Sequence, residues 1–211
     1  MSTTLLCATV TATSMADLRR RRDAVAGADL VELRLDGIDD LDVEGALAGR
    51  QRPVIVTFRP TWQGGRYEGD EATRVAVLER AWDLGAEWVD VEHGAAEAFV
   101  RRTAGRRIVR SYHDFAGVPA DASARLRDLL ASGAEVAKLA VMAHSLRDVV
   151  TAQTLAREAD GRGVVLAMGS SGLPSRLLAA RMGSRWTYAG RAWRPDRLRS
   201  PACATSSACR S

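Results

Sequence analysis

Lys138 is the only lysine in this 211-residue chain, and it lies inside the apolar run Glu135-Val-Ala-Lys-Leu-Ala-Val-Met142. Elsewhere the strongly basic side chains are all arginine, so a single ε-amino group has been placed where water is scarce. Burial disfavours an ammonium, and the neutral amine is a nucleophile towards a carbonyl carbon. A strand-end lysine whose head snorkels to water is the plainer alternative. Along a strand, side chains two apart share a face. Glu32, Arg34 and Asp36 therefore project together, with Val31, Leu33 and Leu35 behind them. A structural Glu32–Arg34 ion pair would explain these charges, but not their place in a strand that helices should cover. The same spacing pairs Thr57 with Arg59, Asp90 with Glu92, and Ser111 with His113. Five strand ends thus offer carboxylates, arginines, a histidine and the lone lysine to one cavity. That set suits carbonyl chemistry on an anionic substrate: lysine for an imine, histidine as general acid and base, arginines for a carboxylate.

Positioning these groups requires strands that end at the same level. β-rich runs alternate with amphipathic segments along the chain. Strands are expected at Leu5–Thr11, Ala28–Asp36, Pro53–Arg59, Glu87–Glu92, Arg107–His113, Glu135–Met142, Gly163–Met168 and Trp186–Ala189. Helices are expected over 14–27, 39–48, 70–84, 95–102, 122–132, 145–160 and 174–182, with a glycine-bearing loop at Trp62–Gly69. Eight strand–helix repeats predict an α/β fold, a (β/α)8 TIM barrel, with active-site residues at the C-terminal ends of its strands. The length is short for that fold, so the last β/α unit is expected to be incomplete.

Composition narrows the function classes. No apolar run approaches a membrane span, and no basic region followed by a hydrophobic core opens the sequence, so a soluble, cytoplasmic protein is expected. Three cysteines, Cys7, Cys203 and Cys209, make no disulfide framework, and no Cys/His spacing resembles a zinc site. The net charge of +4 is local: residues 185–211 carry six arginines against Asp196, leaving the preceding body near neutral. A nucleic-acid binder spreads basic charge over a folded face, so no nucleic-acid partner is expected.

The stretches Val31-Glu-Leu-Arg-Leu-Asp36, Thr57-Phe-Arg59, Ser111-Tyr-His-Asp-Phe115, Lys138 with Ala140-Val-Met142, Met168-Gly-Ser-Ser-Gly172 and Ser175-Arg176 occur in this order over residues 5–190. Together they resemble type I 3-dehydroquinate dehydratases, imine-forming enzymes of the shikimate pathway and hence of aromatic amino acid biosynthesis. The resemblance implies that Lys138 forms a Schiff base with 3-dehydroquinate, and that His113 removes the neighbouring proton and protonates the departing hydroxyl, giving 3-dehydroshikimate and water. It further implies that Arg176 binds the substrate carboxylate, while Glu32, Arg34 and Arg59 hold hydroxyls and shape the field. It implies no metal or diffusible cofactor, a small-molecule substrate, and a homodimer.

Two departures from the family pattern stand out. Gln63 occupies the position where the family usually carries a glutamate before a Gly-Gly pair, which removes a charge beside the histidine; reduced rather than abolished activity is expected. The family also continues past Gly190 with an Ala-Pro-Gly-Gln lid loop and a last helix. This chain instead runs Arg191-Ala-Trp-Arg-Pro-Asp-Arg-Leu198 into an Ala/Ser/Cys/Arg tail. Codon choices for Ala192–Leu198 exist that, read two nucleotides later, spell Val-Ala-Pro-Gly-Gln, and Pro201–Cys209 can likewise spell an amphipathic helix. A frameshift near residue 191 is the expectation, which divides the chain into a barrel over 1–190 and an atypical tail over 191–211. The competing functions are another imine-forming barrel of the class I aldolase kind, or a catalytically impaired barrel with a basic anion-binding tail.

Overall fold

The computed structural model describes residues 4–189, so the expectations for residues 191–211 lie outside the described residues. The elements alternate strand and helix throughout. The strands are β1 (Leu5–Thr11), β2 (Leu30–Arg34), β3 (Val54–Thr57), β4 (Trp88–Glu92), β5 (Ile108–Asp114), β6 (Val136–Met142), β7 (Gly163–Met168) and β8 (Trp186–Ala189). The helices between them are α1 (Met15–Asp23), α2 (Val43–Leu47), α3 (Glu71–Asp83), α4 (Glu97–Arg102), α5 (Ala122–Ala131), α6 (Leu146–Glu158) and α7 (Leu173–Leu177). All pairings are parallel, in the order β7-β6-β5-β4-β3-β2-β1-β8. The backbone N–H of Arg185, just before β8, donates to the Gly163 carbonyl at the start of β7 (2.9 Å), which nearly closes the sheet into the expected TIM barrel.

Local chemistry explains the helix starts. Ser14 caps α1 by accepting from the Asp17 N–H, Asp70 caps α3 through the Thr73 N–H, and Ser145 and Asp148 form a reciprocal capping box on α6. Helix α7 is shorter than the expected 174–182. After Leu177 the chain turns through tight backbone bonds, such as Met182 N–H to the Leu178 carbonyl. Among the described residues, no helix is long and apolar enough to cross a membrane.

Strand alternation sorts the core. Ala137, Leu139 and Val141 of β6 pack outward beneath α5 and α6, while Val136 and Ala140 face the barrel interior on either side of Lys138. The interior changes character with height. Its floor is apolar, formed by Cys7, Leu30, Ile55, Val109, Val136, Val164 and Trp186, with the Trp88 ring tilted against Trp186, centroids 5.6 Å apart. One layer higher, the inward positions are Thr9, Glu32, Thr57, Asp90, Ser111 and Lys138. A dry floor beneath a layer of ionised groups withholds water from those groups on one side, which strengthens every charge interaction above it.

Candidate active site

The ionised layer is a connected network. Arg74 of α3 is fully buried and donates to Glu92 of β4, and it is braced by Glu71 one helical turn earlier at 2.7 Å. Glu92 also accepts from Arg59 Nη1 (2.8 Å), which shares its donor with Ser111 Oγ (2.8 Å). Arg59 Nη2 reaches Asp90 Oδ2 at 2.7 Å, and the same oxygen lies 2.9 Å from Lys138 Nζ. Ser111 donates to the other Asp90 oxygen. On the other side of the lysine, Glu32 Oε1 lies 3.4 Å from Nζ and accepts from Thr57, while its second oxygen accepts from Thr9. These contacts follow from strand register, which sets Ser111 level with Lys138 and Thr57 level with Asp90.

Lys138 is 3 % exposed, as its apolar neighbours predict, but its amine is not in apolar surroundings. Two carboxylates and the face of Tyr188, whose ring centroid is 4.7 Å from Nζ, surround it. The amine that the sequence places in apolar surroundings is therefore found between two carboxylates and an aromatic face. Burial alone would raise the Asp90 carboxyl, yet Arg59 and Lys138 hold it far below the usual carboxylate range. Glu32 is likewise pushed up by burial and brought below its ordinary value chiefly by Lys138.

Above this layer, His113 projects from β5. Its backbone N–H and its Nδ1 both face Gln63 Oε1, at 2.8 and 3.2 Å. The backbone N–H can only donate, which fixes the oxygen of the Gln63 amide on this side, and an oxygen can only accept. Nδ1 therefore carries the hydrogen and Nε2 keeps its lone pair. Burial, then the positive charges of Arg59 and Lys138, push the imidazole well below its ordinary value, against the opposing pull of Asp90. His113 stands as a neutral base. The Thr61–Gln63 turn that delivers the amide ends at Gly64, whose φ of +75° suits glycine, and a Cβ there would fall 2.3 Å from the Phe115 ring. Phe115 in turn stacks on His113, centroids 6.1 Å apart.

These groups line one cavity of about 350 Å³ that contains Thr9, Thr11, Glu32, Arg34, Arg59, Gln63, His113, Lys138, Met168, Arg176 and Tyr188. The seven residues given a site role in the sequence analysis, Glu32, Arg34, Arg59, Gln63, His113, Lys138 and Arg176, all line it. Glu32 and Arg59 are committed to internal partners. Arg34 makes a bidentate pair with Asp36 (2.7 and 2.8 Å), not with Glu32, and still borders the cavity. Arg176 has no ion-pair partner among the described residues. Its helix is pinned by buried Ser175, which accepts from the Ala167 N–H (3.0 Å) and donates to the Gly172 carbonyl (2.7 Å). A guanidinium aimed into a cavity without a carboxylate of its own suits an anionic substrate group. Among the described residues, no group of three or more His, Cys, Asp or Glu is placed to hold a metal ion.

Spacing places Asp90 on the inner face without assigning it a role, and Thr9, Thr11 and Tyr188 carry no motif that marks them as cavity residues. Alternation from Cys7 and from Trp186 would have found the latter three, since each is two or four residues from an interior position.

A model of the type I 3-dehydroquinase family matches residues 6–201. The 3-dehydroquinate dehydratase of Methanosarcina barkeri is 36% identical over 189 residues, covering 80% of this chain and 78% of the relative. The chloroplastic bifunctional 3-dehydroquinate dehydratase/shikimate dehydrogenase of Arabidopsis thaliana is 32% identical over 197 residues, 87% of this chain but one third (33%) of that longer protein. Among solved structures, the 3-dehydroquinate dehydratase of Geobacillus kaustophilus superposes with a TM-score of 0.78 at 29% identity, covering 90% of this chain and 83% of that one. With the family model spanning nearly all of the described barrel, the chain belongs to the type I 3-dehydroquinase family.

Proposed function

We propose that this protein dehydrates 3-dehydroquinate to 3-dehydroshikimate through an imine on Lys138. The observation that carries the proposal is the sole lysine, buried beside Asp90 and Glu32 at the base of a cavity that also holds a neutral histidine and an arginine with no ion-pair partner among the described residues. The substrate carboxylate pairs with Arg176. His113 Nε2 takes a proton from the ammonium, and the freed amine adds to the ketone carbon. The imidazolium returns that proton as the carbonyl oxygen leaves as water, so His113 is neutral again and the nitrogen remains as a cationic imine. That cation draws electrons from the adjacent carbon, so its C–H becomes acidic and His113 removes the proton. The same imidazolium then protonates the hydroxyl one carbon further on, which departs as water. Hydrolysis of the imine returns the ketone and the lysine, so the net change is substrate to product plus one water.

Within this scheme Asp90 and Glu32 hold the nitrogen in place, Gln63 sets the tautomer of the base, and Arg34 donates its guanidinium N–H groups to a substrate hydroxyl. The family resemblance supports a cytoplasmic, homodimeric enzyme in the shikimate pathway. The test is turnover of 3-dehydroquinate, followed by the ultraviolet absorbance of the conjugated enone. The wild-type chain is expected to form it and Lys138→Ala is not; a folded wild-type chain without turnover contradicts the proposal.

A further inference from the structure

Tyr188 stands out among the cavity residues because its polar group does nothing visible. Its hydroxyl is buried and has no hydrogen-bond partner among the described residues. Burial first, then the nearby Glu32 carboxylate, keeps the phenol well above its ordinary value, so it neither gives up a proton nor carries charge. What Tyr188 presents to the reacting centre is its ring, with the centroid 4.7 Å from Lys138 Nζ. That lies within the roughly 6 Å over which a cation is attracted to an aromatic face. Closure of the barrel makes this possible: β8 lies beyond β7 from β6, and Tyr188 packs against the interior cluster that includes Val164 and Leu166.

The chemistry gives that ring a task the carboxylates cannot complete. An ammonium and a ketone become a cationic imine and one water, and two of the three nitrogen-bound hydrogens leave with the water. The ammonium can donate to Asp90 and Glu32 together; the imine nitrogen keeps one N–H and can donate to only one of them. An aromatic face attracts the positive charge without needing a proton from it. Resting on the imine reading of Lys138, we propose that the face of Tyr188 is a catalytic element that holds the iminium in its protonated, electron-withdrawing form through a cation–π contact, while the hydroxyl is dispensable. Hydrophobic packing alone would be served as well by any side chain of the same shape, and the two accounts separate on ring electronics.

The experiment is reductive trapping of Lys138 with 3-dehydroquinate and cyanoborohydride, which reduces the protonated imine, measured as a function of pH by mass spectrometry. Tyr188→Phe is expected to match wild type within about twofold. Phenylalanines carrying one, two and three ring fluorines at position 188 keep the shape and drain the π face. Trapping and kcat are expected to fall stepwise along that series, reaching roughly tenfold, with the trapping limb moving to lower pH. Equal trapping and an unmoved limb across the fluorinated series overturn the proposal, as does a Tyr188→Phe variant as impaired as the trifluorinated one. Absence of any adduct in the wild-type chain overturns the imine reading itself, and the cation–π role falls with it. Because the series conserves volume, thermal unfolding of each variant serves as the folding control.

Discussion

Gln63 Oε1 accepts from both the backbone N–H and the Nδ1 of His113, at 2.8 and 3.2 Å. One neutral oxygen thus sets the tautomer of the base without adding a charge beside it. Burial is the largest cause of the lowered imidazole, Arg59, Lys138 and Arg34 add to it, and Asp90 opposes them. A base whose pKa is lowered stays competent as pH falls, until the pH drops through that lowered value.

The pH profile follows from this. Gln63→Glu puts a carboxylate where the amide oxygen was, which favours the imidazolium and raises the histidine. The acidic limb of kcat/KM is expected to move to higher pH by about one unit or more relative to wild type. An unmoved limb would show that Gln63 does not act on His113.

Arg176 lines the cavity and has no ion-pair partner among the described residues. A charge-assisted pair with a carboxylate is worth about 1.5–3 kcal/mol, so Arg176→Ala is expected to lower kcat/KM roughly tenfold to a hundredfold, mainly through KM. Steady-state kinetics with 3-dehydroquinate would check it, and a loss confined to kcat would argue against a binding role.

Arg74 is fully buried and is one of two arginines on Glu92. Arg74→Met leaves that carboxylate short of a partner in a low-dielectric layer, which should destabilise the fold by about 3–5 kcal/mol. Denaturant unfolding would measure it. A change under about 1 kcal/mol would mean that Arg59 alone satisfies Glu92.

Cys7 sits on the barrel floor with no exposed surface, and burial pushes its thiol well above the ordinary value. A thiol-specific reagent should therefore leave it unmodified in the native chain and label it on unfolding. Rapid labelling under native conditions would show that the floor is open to solvent.

Much of this site was legible because a strand has a period of two. Glu32, Asp90, His113 and Lys138 could be assigned to the inner face from spacing alone, and each is found there. Their partners could not be assigned that way. Arg34 pairs with Asp36 while the Glu32 oxygens are taken by Thr9, Thr57 and Lys138, and Arg59 reaches the carboxylates of the neighbouring β4, because inter-strand register and stagger decide which groups stand level with Glu32 and Arg59. The meeting of Tyr188 with Lys138 depends on barrel closure, a long-range property with no local sequence signal. Helix α7 was overextended because Leu177-Leu-Ala-Ala180 has helical composition, whereas the backbone after Leu177 turns back towards β8.

The central claim is that the amine of Lys138 is the nucleophile. Incubating the protein with 3-dehydroquinate and borohydride, then mapping the peptides by mass spectrometry, tests it directly. The prediction is a single reduced adduct on the peptide that contains Lys138, absent from Lys138→Ala. A folded, turning-over enzyme that yields no adduct there would contradict it.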